Sequence, residues 1–271
     1  MPMSEFWAVV SNPLIARALV VGALISLCAA MLGVVLVLKR FALIGHGLGE
    51  VGFAAVAIAM AAGVAPMAVA IPAVVAAGIF IMWLNERAHT GGDAAIGMVA
   101  TAALAVGVLV SSLSSGFKND VYNYMFGSLY GISAGDVWLS VAPSVVIALF
   151  LLFFHRIFAV TYDEIHAQAT GVNVRFYHFM ISFLTAVTVV LGMRMMGAML
   201  ISSFIIFPAM TARRLARSFK GMIFAAAGIS LLSFACGMAA SYLFDLPTGA
   251  SVVCASLLFL LLSLPKRAKG A

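Results

Sequence analysis

Long apolar runs, separated by short polar loops, follow one another along nearly the whole chain. The first run, Pro13–Leu38, contains a single charged residue, Arg17. An α-helix needs about twenty apolar residues to cross the hydrocarbon core of a bilayer, and in lipid its backbone groups must bond within the helix. With 65% hydrophobic and 9% charged residues, no polar stretch is long enough to form a soluble core. The sequence therefore predicts an all-α, polytopic membrane protein with one transmembrane domain over residues 1–271.

The runs predict eight or nine membrane-spanning helices. One of them, residues 192–208, contains Arg194 and is short for a full crossing, so we expect a half-helix or a helix packed inside protein. Residues 114–133 are predicted to lie at the membrane interface, and residues 211–220 to form a basic surface helix. The other predicted spans are residues 13–38, 42–62, 68–84, 94–113, 135–158, 174–191, 222–244 and 250–264.

Basic residues lie mostly in alternate loops, which sets the orientation. If the C-terminus is cytoplasmic and the chain crosses nine times, 12 of the 15 lysines and arginines fall on the cytoplasmic side. The N-terminus then lies outside. This asymmetry is what the positive-inside rule predicts, so the net charge of +6 indicates membrane orientation rather than nucleic-acid binding.

An ionisable pair, His46 and Glu50, lies near the start of the second run, among Gly45, Gly47, Gly49 and Gly52. Side chains four residues apart share one helix face, and ionisable groups in a bilayer are costly enough to mark functional sites. Imidazole and carboxylate both bind divalent transition metals. Two copies facing each other would supply four ligands, enough for Zn²⁺ or Mn²⁺. The structural alternative is that His46 bonds a neighbouring helix and Glu50 is buried in its protonated form.

The sequence lacks two motifs that would indicate an enzyme. No GxxxxGK[ST] loop is present to bind ATP, and His46 with Glu50 forms HxxxE rather than the HExxH of zinc proteases. We therefore predict a transport subunit with no ATPase activity and no resident cofactor. An intramembrane metalloenzyme and a purely structural membrane subunit remain as alternatives.

A basic stretch follows Pro208, where small residues are interleaved with Arg213, Arg214, Arg217 and Lys220. Such a stretch is either a solvated face that obeys the positive-inside rule or a docking helix for a soluble partner. The residues alone leave both interpretations open.

Several motifs, taken in order, resemble the permease subunits of the zinc/manganese/iron class of bacterial ABC importers, which are related to vitamin B12 and siderophore permeases. The resemblance covers nearly the whole chain. It rests on residues 38–45, 93–98, 124–129, 169–172, 184–190, 197–200, 207–213 and 246–250. It implies a type II ABC importer permease fold in the inner membrane of a bacterium.

The resemblance also implies partners and roles for particular residues. It implies a homodimer in the membrane lipid, two cytoplasmic subunits that bind ATP, and an extracytoplasmic metal-binding protein. Residues 208–220 would include the helix that couples to the ATPase, with Pro208, Thr211, Arg213, Arg214 and Arg217 as its contact residues. In the family an Asp followed four residues later by a His usually opens the second span and forms the metal checkpoint. Here His46 and Glu50 reverse that order.

The predicted function is the membrane-spanning subunit of an ATP-driven importer for a divalent transition metal, zinc first and manganese or iron next. His46 and Glu50 are the predicted metal ligands. Because their order is reversed, a permease for a metal chelate or another small solute stays open as the alternative.

Overall fold

The computed structural model describes residues 13–88, 92–113, 138–244 and 246–264. Within these ranges every regular element is a helix and none is a strand, which confirms the predicted all-α class. The predicted interfacial segment, residues 114–133, lies outside them. The helices are α1 (Pro13–Leu38), α2 (Ile44–Ala61), α3 (Pro66–Ala88), α4 (Gly92–Leu113), α5 (Trp138–Leu152), α6 (Phe154–Tyr162), α7 (Glu164–Ala169), α8 (Val174–Met196), α9 (Ala198–Leu215), α10 (Phe219–Phe244) and α11 (Thr248–Ser263).

Six of the described helices, α1, α2, α3, α4, α8 and α10, are long and apolar enough to cross a membrane. The pair α5 and α6 is bent by 68° at Phe153 and makes a seventh span if it is counted as one crossing. The nine crossings predicted from the sequence also need α9, which carries two arginines, and α11, which has only 16 residues. The helical membrane architecture is therefore confirmed.

Helix α1 forms the centre of the core, and glycine allows its close approach to α9. Ile25 and Val35 of α1 are fully buried. A Cβ added at Gly33 would clash with the carbonyl oxygen of Ile205 in α9. Lipid tails are as apolar as the helix surface, so the hydrophobic effect does not drive helices together in a membrane. Close packing at small residues such as this glycine favours their association instead.

The predicted bounds of the short segment, residues 192–208, are wrong. Helix α8 continues through Arg194 to Met196, and the chain breaks at Gly197, where φ is +88° and ψ is 156°. Helix α9 then runs on past Pro208 to Leu215. The apolar pattern alone could not reveal this break, because a positive φ is set by one glycine and leaves hydropathy unchanged.

The separate basic helix predicted over residues 211–220 is not present. Arg213 and Arg214 belong to the last turn of α9, Ala216 is extended (φ −109°, ψ 144°), and Lys220 lies in the first turn of α10. Basic groups at a helix C-terminus interact favourably with the helix dipole. The basic residues therefore surround a tight corner between two long helices.

In the polar loop between the bent pair and α8, two side chains cap the helices that follow them. The Asp163 side chain accepts a hydrogen bond from the backbone N–H of His166 at 2.9 Å and so caps α7. Asn173 accepts one from the N–H of Phe176 at 3.1 Å and caps α8. Each cap satisfies a backbone donor that the helix leaves unpaired, so α7 begins after Asp163 and α8 after Asn173.

Candidate functional site

The turn between α1 and α2 places the ionisable pair at the start of α2. Arg40 has a left-handed backbone (φ 62°), and the N–H of Phe41 donates to the carbonyl of Leu36 at 2.8 Å. A six-to-one bond of this kind around a left-handed residue is the Schellman ending of a helix. It reverses the chain within five residues, so that α2 begins at Ile44 and His46 lies in its first turn.

His46 and Glu50 lie on one face of α2, with Nδ1 of the imidazole 3.9 Å from Oε1 of the carboxylate. The His46 side chain is 57% exposed, whereas that of Glu50 is only 11% exposed. The imidazole therefore projects from the subunit, and the carboxylate lies behind it. Because 3.9 Å exceeds hydrogen-bond range, the two groups remain available as separate ligands.

Glu50 has an oxygen whose bonding capacity is not used. Its Oε2 is buried and has no hydrogen-bond partner in the part of the chain that the structure describes. Nor does His46 bond another helix within those residues. Buried polar atoms are nearly always paired, and an unpaired one calls for an explanation such as an ion. The structural alternative is thus met in part: Glu50 is buried, as it expects, whereas His46 makes no bond to a neighbouring helix within the described residues.

The glycines of this stretch pack α2 against its own subunit. A Cβ on Gly45 would meet Ile205 of α9, and one on Gly52 would meet Met193 of α8. A Cβ on Gly47 would lie 2.7 Å from Ile96 of α4. These contacts occupy the faces of α2 that turn towards the core, which leaves His46 on a face that the subunit itself does not cover.

One subunit supplies too few ligands for a complete metal site at this position. Among the described residues, no group of three or more His, Cys, Asp or Glu side chains could hold a metal ion. Zinc sites in proteins use three or four protein ligands. The pair on α2 therefore offers two potential ligands, of which the imidazole is turned outward.

The five predicted docking residues divide into two groups. Arg213 and Arg217 are exposed and Arg214 is partly exposed at the corner between α9 and α10. Pro208 and Thr211 are buried inside the subunit, and the Thr211 hydroxyl donates to the carbonyl of Phe207 at 2.8 Å. A soluble partner can reach the arginines, whereas Pro208 and Thr211 can act only by shaping α9.

A charged cluster that the sequence did not indicate joins α1, α7 and α8. Lys39 Nζ lies 2.7 Å from Glu164 Oε1, which also lies 3.1 Å from His178 Nε2. Lys39 also contacts His178. Partial burial acts to raise the pKa of Glu164, but the hydrogen bond from Lys39 and the charges of Lys39 and His178 outweigh it, so the pKa is lowered. In sequence, Lys39 is 125 residues from Glu164 and 139 residues from His178, and Glu164 and His178 are 14 residues apart. No local sequence pattern therefore reveals the cluster.

Comparison with known proteins gives the family. The sequence profile described as the ABC 3 transport family matches residues 11–266. The chain belongs to the ABC 3 transport family. Membership confirms the predicted class of ABC transporter permease, a multi-pass membrane subunit.

Two relatives and one solved structure illustrate what the chain is similar to. The high-affinity zinc uptake system membrane protein ZnuB of Haemophilus influenzae is 32% identical over 251 residues, which is 92% of this chain and 96% of the relative. The manganese transport system membrane protein MntC of Listeria innocua is 27% identical, covering 88% and 85%. PsaBC from Streptococcus pneumoniae in complex with Fab matches with a TM-score of 0.84 at 25% identity, covering 97% and 95%.

Proposed function

We propose that this subunit is the permease of an ATP-driven importer for a divalent transition metal in the inner membrane of a bacterium, with zinc as the first candidate and manganese or iron next. The observation that carries the proposal is the pair on α2. A nitrogen and a carboxylate donor lie 3.9 Å apart, and the imidazole is 57% exposed on a face that its own subunit leaves open.

Two copies of this subunit complete the site. One subunit contributes His46 and Glu50, and a second copy facing it contributes the same two residues, which makes a set of two nitrogen and two carboxylate donors. This set suits Zn²⁺ and tolerates Mn²⁺ and Fe²⁺. A site of this kind binds modestly, which transport requires because an ion that is held too tightly does not leave.

Coupling to ATP hydrolysis takes place at the corner between α9 and α10. The exposed arginines Arg213 and Arg217 and the partly exposed Arg214 form a basic surface for cytoplasmic subunits that bind ATP. Helix α9 connects this surface to the glycines beside His46, because Ile205 of α9 packs at Gly45. An extracytoplasmic binding protein delivers the ion on the opposite side.

The test is metal uptake by the complete transporter in proteoliposomes. We expect His46→Ala and Glu50→Ala each to reduce uptake of zinc or manganese by about tenfold or more, since even outer-shell changes at metal sites cost that much. Ile58→Ala is the matched control, because Ile58 is exposed on the same helix away from the pair. Assembly with the ATPase is expected to stay unchanged in all three variants.

A double substitution makes the test sharper. His46→Asp with Glu50→His restores the order usual in the family and keeps one nitrogen and one carboxylate donor, whereas each single change leaves two donors of one kind. We expect the double variant to transport better than either single variant, a non-additive result that indicates one shared site. Uptake that is insensitive to all of these changes would reject the metal assignment. If the binding protein stimulates the ATPase activity without any added metal ion, a metal chelate or another small solute is favoured as the substrate.

A further inference from the structure

A cavity of about 1550 Å³ lies between the ends of α1 and α3, helix α7 and the first turns of α8. It is on the side of the membrane where the basic loops gather, and it is separate from His46 and Glu50. Its lining includes Lys39, Glu164, Arg175, His178 and Ser182. Three features of this cavity restrict what can bind in it: its charges, the hydroxyl of Ser182 and its apolar wall.

The charges of the cavity favour an anion. Two basic side chains line it, Lys39, whose side chain is only 8% exposed, and Arg175 at the first turn of α8. Among the described residues that line the cavity, Glu164 is the only carboxylate. A metal cation is disfavoured because Lys39 Nζ lies 2.7 Å from the Glu164 oxygen that would have to bind it.

Ser182 adds an independent polar group. The side chain is 1% exposed and lines the cavity one helical turn beyond His178. Its Oγ has no hydrogen-bond partner within the described part of the chain. A hydroxyl that is buried without a partner is costly, and Ser182 is one of the residues that line the cavity.

The outer wall of the cavity is aromatic and exposed. Trp83 of α3 stacks on Phe80 with ring centroids 5.8 Å apart, and Phe176 and Phe179 of α8 are exposed on the other side. Amphipathic aromatic rings are typical of the membrane–water interface, where they sit at headgroup level. A free phosphate ion could not cover these aromatic side chains, whereas the acyl chains of a lipid could.

We propose that this cavity binds the phosphate-bearing headgroup of an anionic membrane lipid. The phosphate binds between Arg175 and the side of the cavity formed by Lys39 and His178, and the Ser182 hydroxyl donates a hydrogen bond to it. Trp83 and Phe179 contact the start of the acyl chains. Basic pockets between transmembrane helices on the cytoplasmic side are a known way of holding such headgroups. The proposal does not depend on which solute the subunit transports.

The experiment uses Trp83 as the reporter. The chain has three tryptophans, so Trp7→Phe together with Trp138→Phe leaves Trp83 alone. The full chain in bilayers is titrated with brominated phosphatidylglycerol against brominated phosphatidylcholine, and quenching of Trp83 gives the relative binding constant. We expect the anionic lipid to bind several-fold more strongly. Equal binding of the two lipids would overturn the proposal.

Paired variants test the charge and the hydroxyl. Arg175→Gln should lower the preference for the anionic lipid about fivefold, the usual effect of one basic residue near a charged surface. Arg156→Gln, which removes an exposed arginine that does not line the cavity, should leave the preference unchanged. Ser182→Ala should also lower it, while Ser233→Ala, at a buried hydroxyl that is likewise without a partner but lies outside the cavity, should not.

Two further outcomes would contradict the proposal. If inorganic phosphate at constant ionic strength relieves the quenching by brominated phosphatidylglycerol, the cavity is a phosphate site rather than a lipid site. If assembly with a second copy or with an ATPase abolishes the lipid preference of Trp83, a protein covers the cavity instead.

Discussion

At the scale of single residues, the most informative atom is Glu50 Oε2, which is buried without a partner in the described part of the chain. The imidazole in front of it is exposed and lies 3.9 Å from the other carboxylate oxygen, beyond hydrogen-bond range, so the two side chains do not form a closed pair. Residue chemistry and exposure are therefore the basis on which we propose a metal role for α2. A hydrogen-bonded histidine inside the core would have indicated the opposite.

A second residue-scale consequence concerns Glu164 and acid stability. Its pKa is lowered in the folded state because Lys39 and His178 outweigh the effect of burial. A carboxylate with a lowered native pKa contributes stability that is complete above the ordinary glutamate pKa of about 4.3 and is lost as the pH falls through the native pKa. The melting temperature of the wild-type protein in detergent should therefore fall as the pH is lowered through this range. The melting temperature of the Glu164→Gln variant should fall less over the same range.

The neighbouring carboxylate is the control for this measurement. Asp163→Asn keeps a side-chain oxygen that can cap α7 and does not touch the Lys39 cluster, so it should retain the wild-type dependence on pH. The side chain of Glu164 is 51% exposed, and solvent screening will keep the effect small. An unchanged acid profile in Glu164→Gln would show that the cluster contributes no stability.

At the scale of elements, close helix contacts determine how the bundle assembles. The backbone of α1 at Gly33 lies directly against the backbone of α9 at Ile205, and α10 at Gly237 lies against α11 at Val252. Backbone atoms cannot move aside as a flexible side chain can. Any added carbon at these glycines must therefore separate two helices.

Gly33→Ala should destabilise the fold by about 1–3 kcal/mol, the usual cost of overpacking a tight core. Gly228→Ala is the matched control, because it lies inside α10 with no atom near the added carbon and should gain up to about 1 kcal/mol in helix propensity. Thermal unfolding of both variants in the same detergent measures the difference. Equal stability of the two variants would show that the contact between α1 and α9 is not tight.

At the scale of the whole molecule, the corner between α9 and α10 is the surface that we assign to ATPase docking. Reversing the charges with Arg213→Glu, Arg214→Glu and Arg217→Glu should weaken co-purification with the ATP-binding subunits about tenfold or more, because like charges across an interface cost several kcal/mol. Transport should fall together with assembly. Metal binding at His46 and Glu50 should persist in the permease dimer without its ATPase.

The control for this prediction is Arg156→Glu, which reverses an exposed charge of the same sign on α6, away from the corner. It should leave co-purification unchanged. A triple variant that still assembles with the ATPase and couples normally would remove these arginines from the docking surface.

The sequence by itself determined the membrane class, the order of the apolar segments and the identity of the ionisable pair. These follow from hydropathy and helix spacing, which are local properties. His46 and Glu50 are four residues apart, so one helix turn brings them together whatever the rest of the chain does. The family resemblance added the partners, which no local pattern contains.

The tertiary structure alone decided where α8 ends, which of the predicted docking residues are accessible, and how Lys39, Glu164 and His178 meet around one cavity. Gly197 breaks the chain through a single dihedral angle, and Thr211 is buried by helices that are distant in sequence. The charged cluster and the unpaired Ser182 hydroxyl depend on contacts between α1, α3, α7 and α8. Such contacts arise from packing in three dimensions, so apolar periodicity cannot specify them.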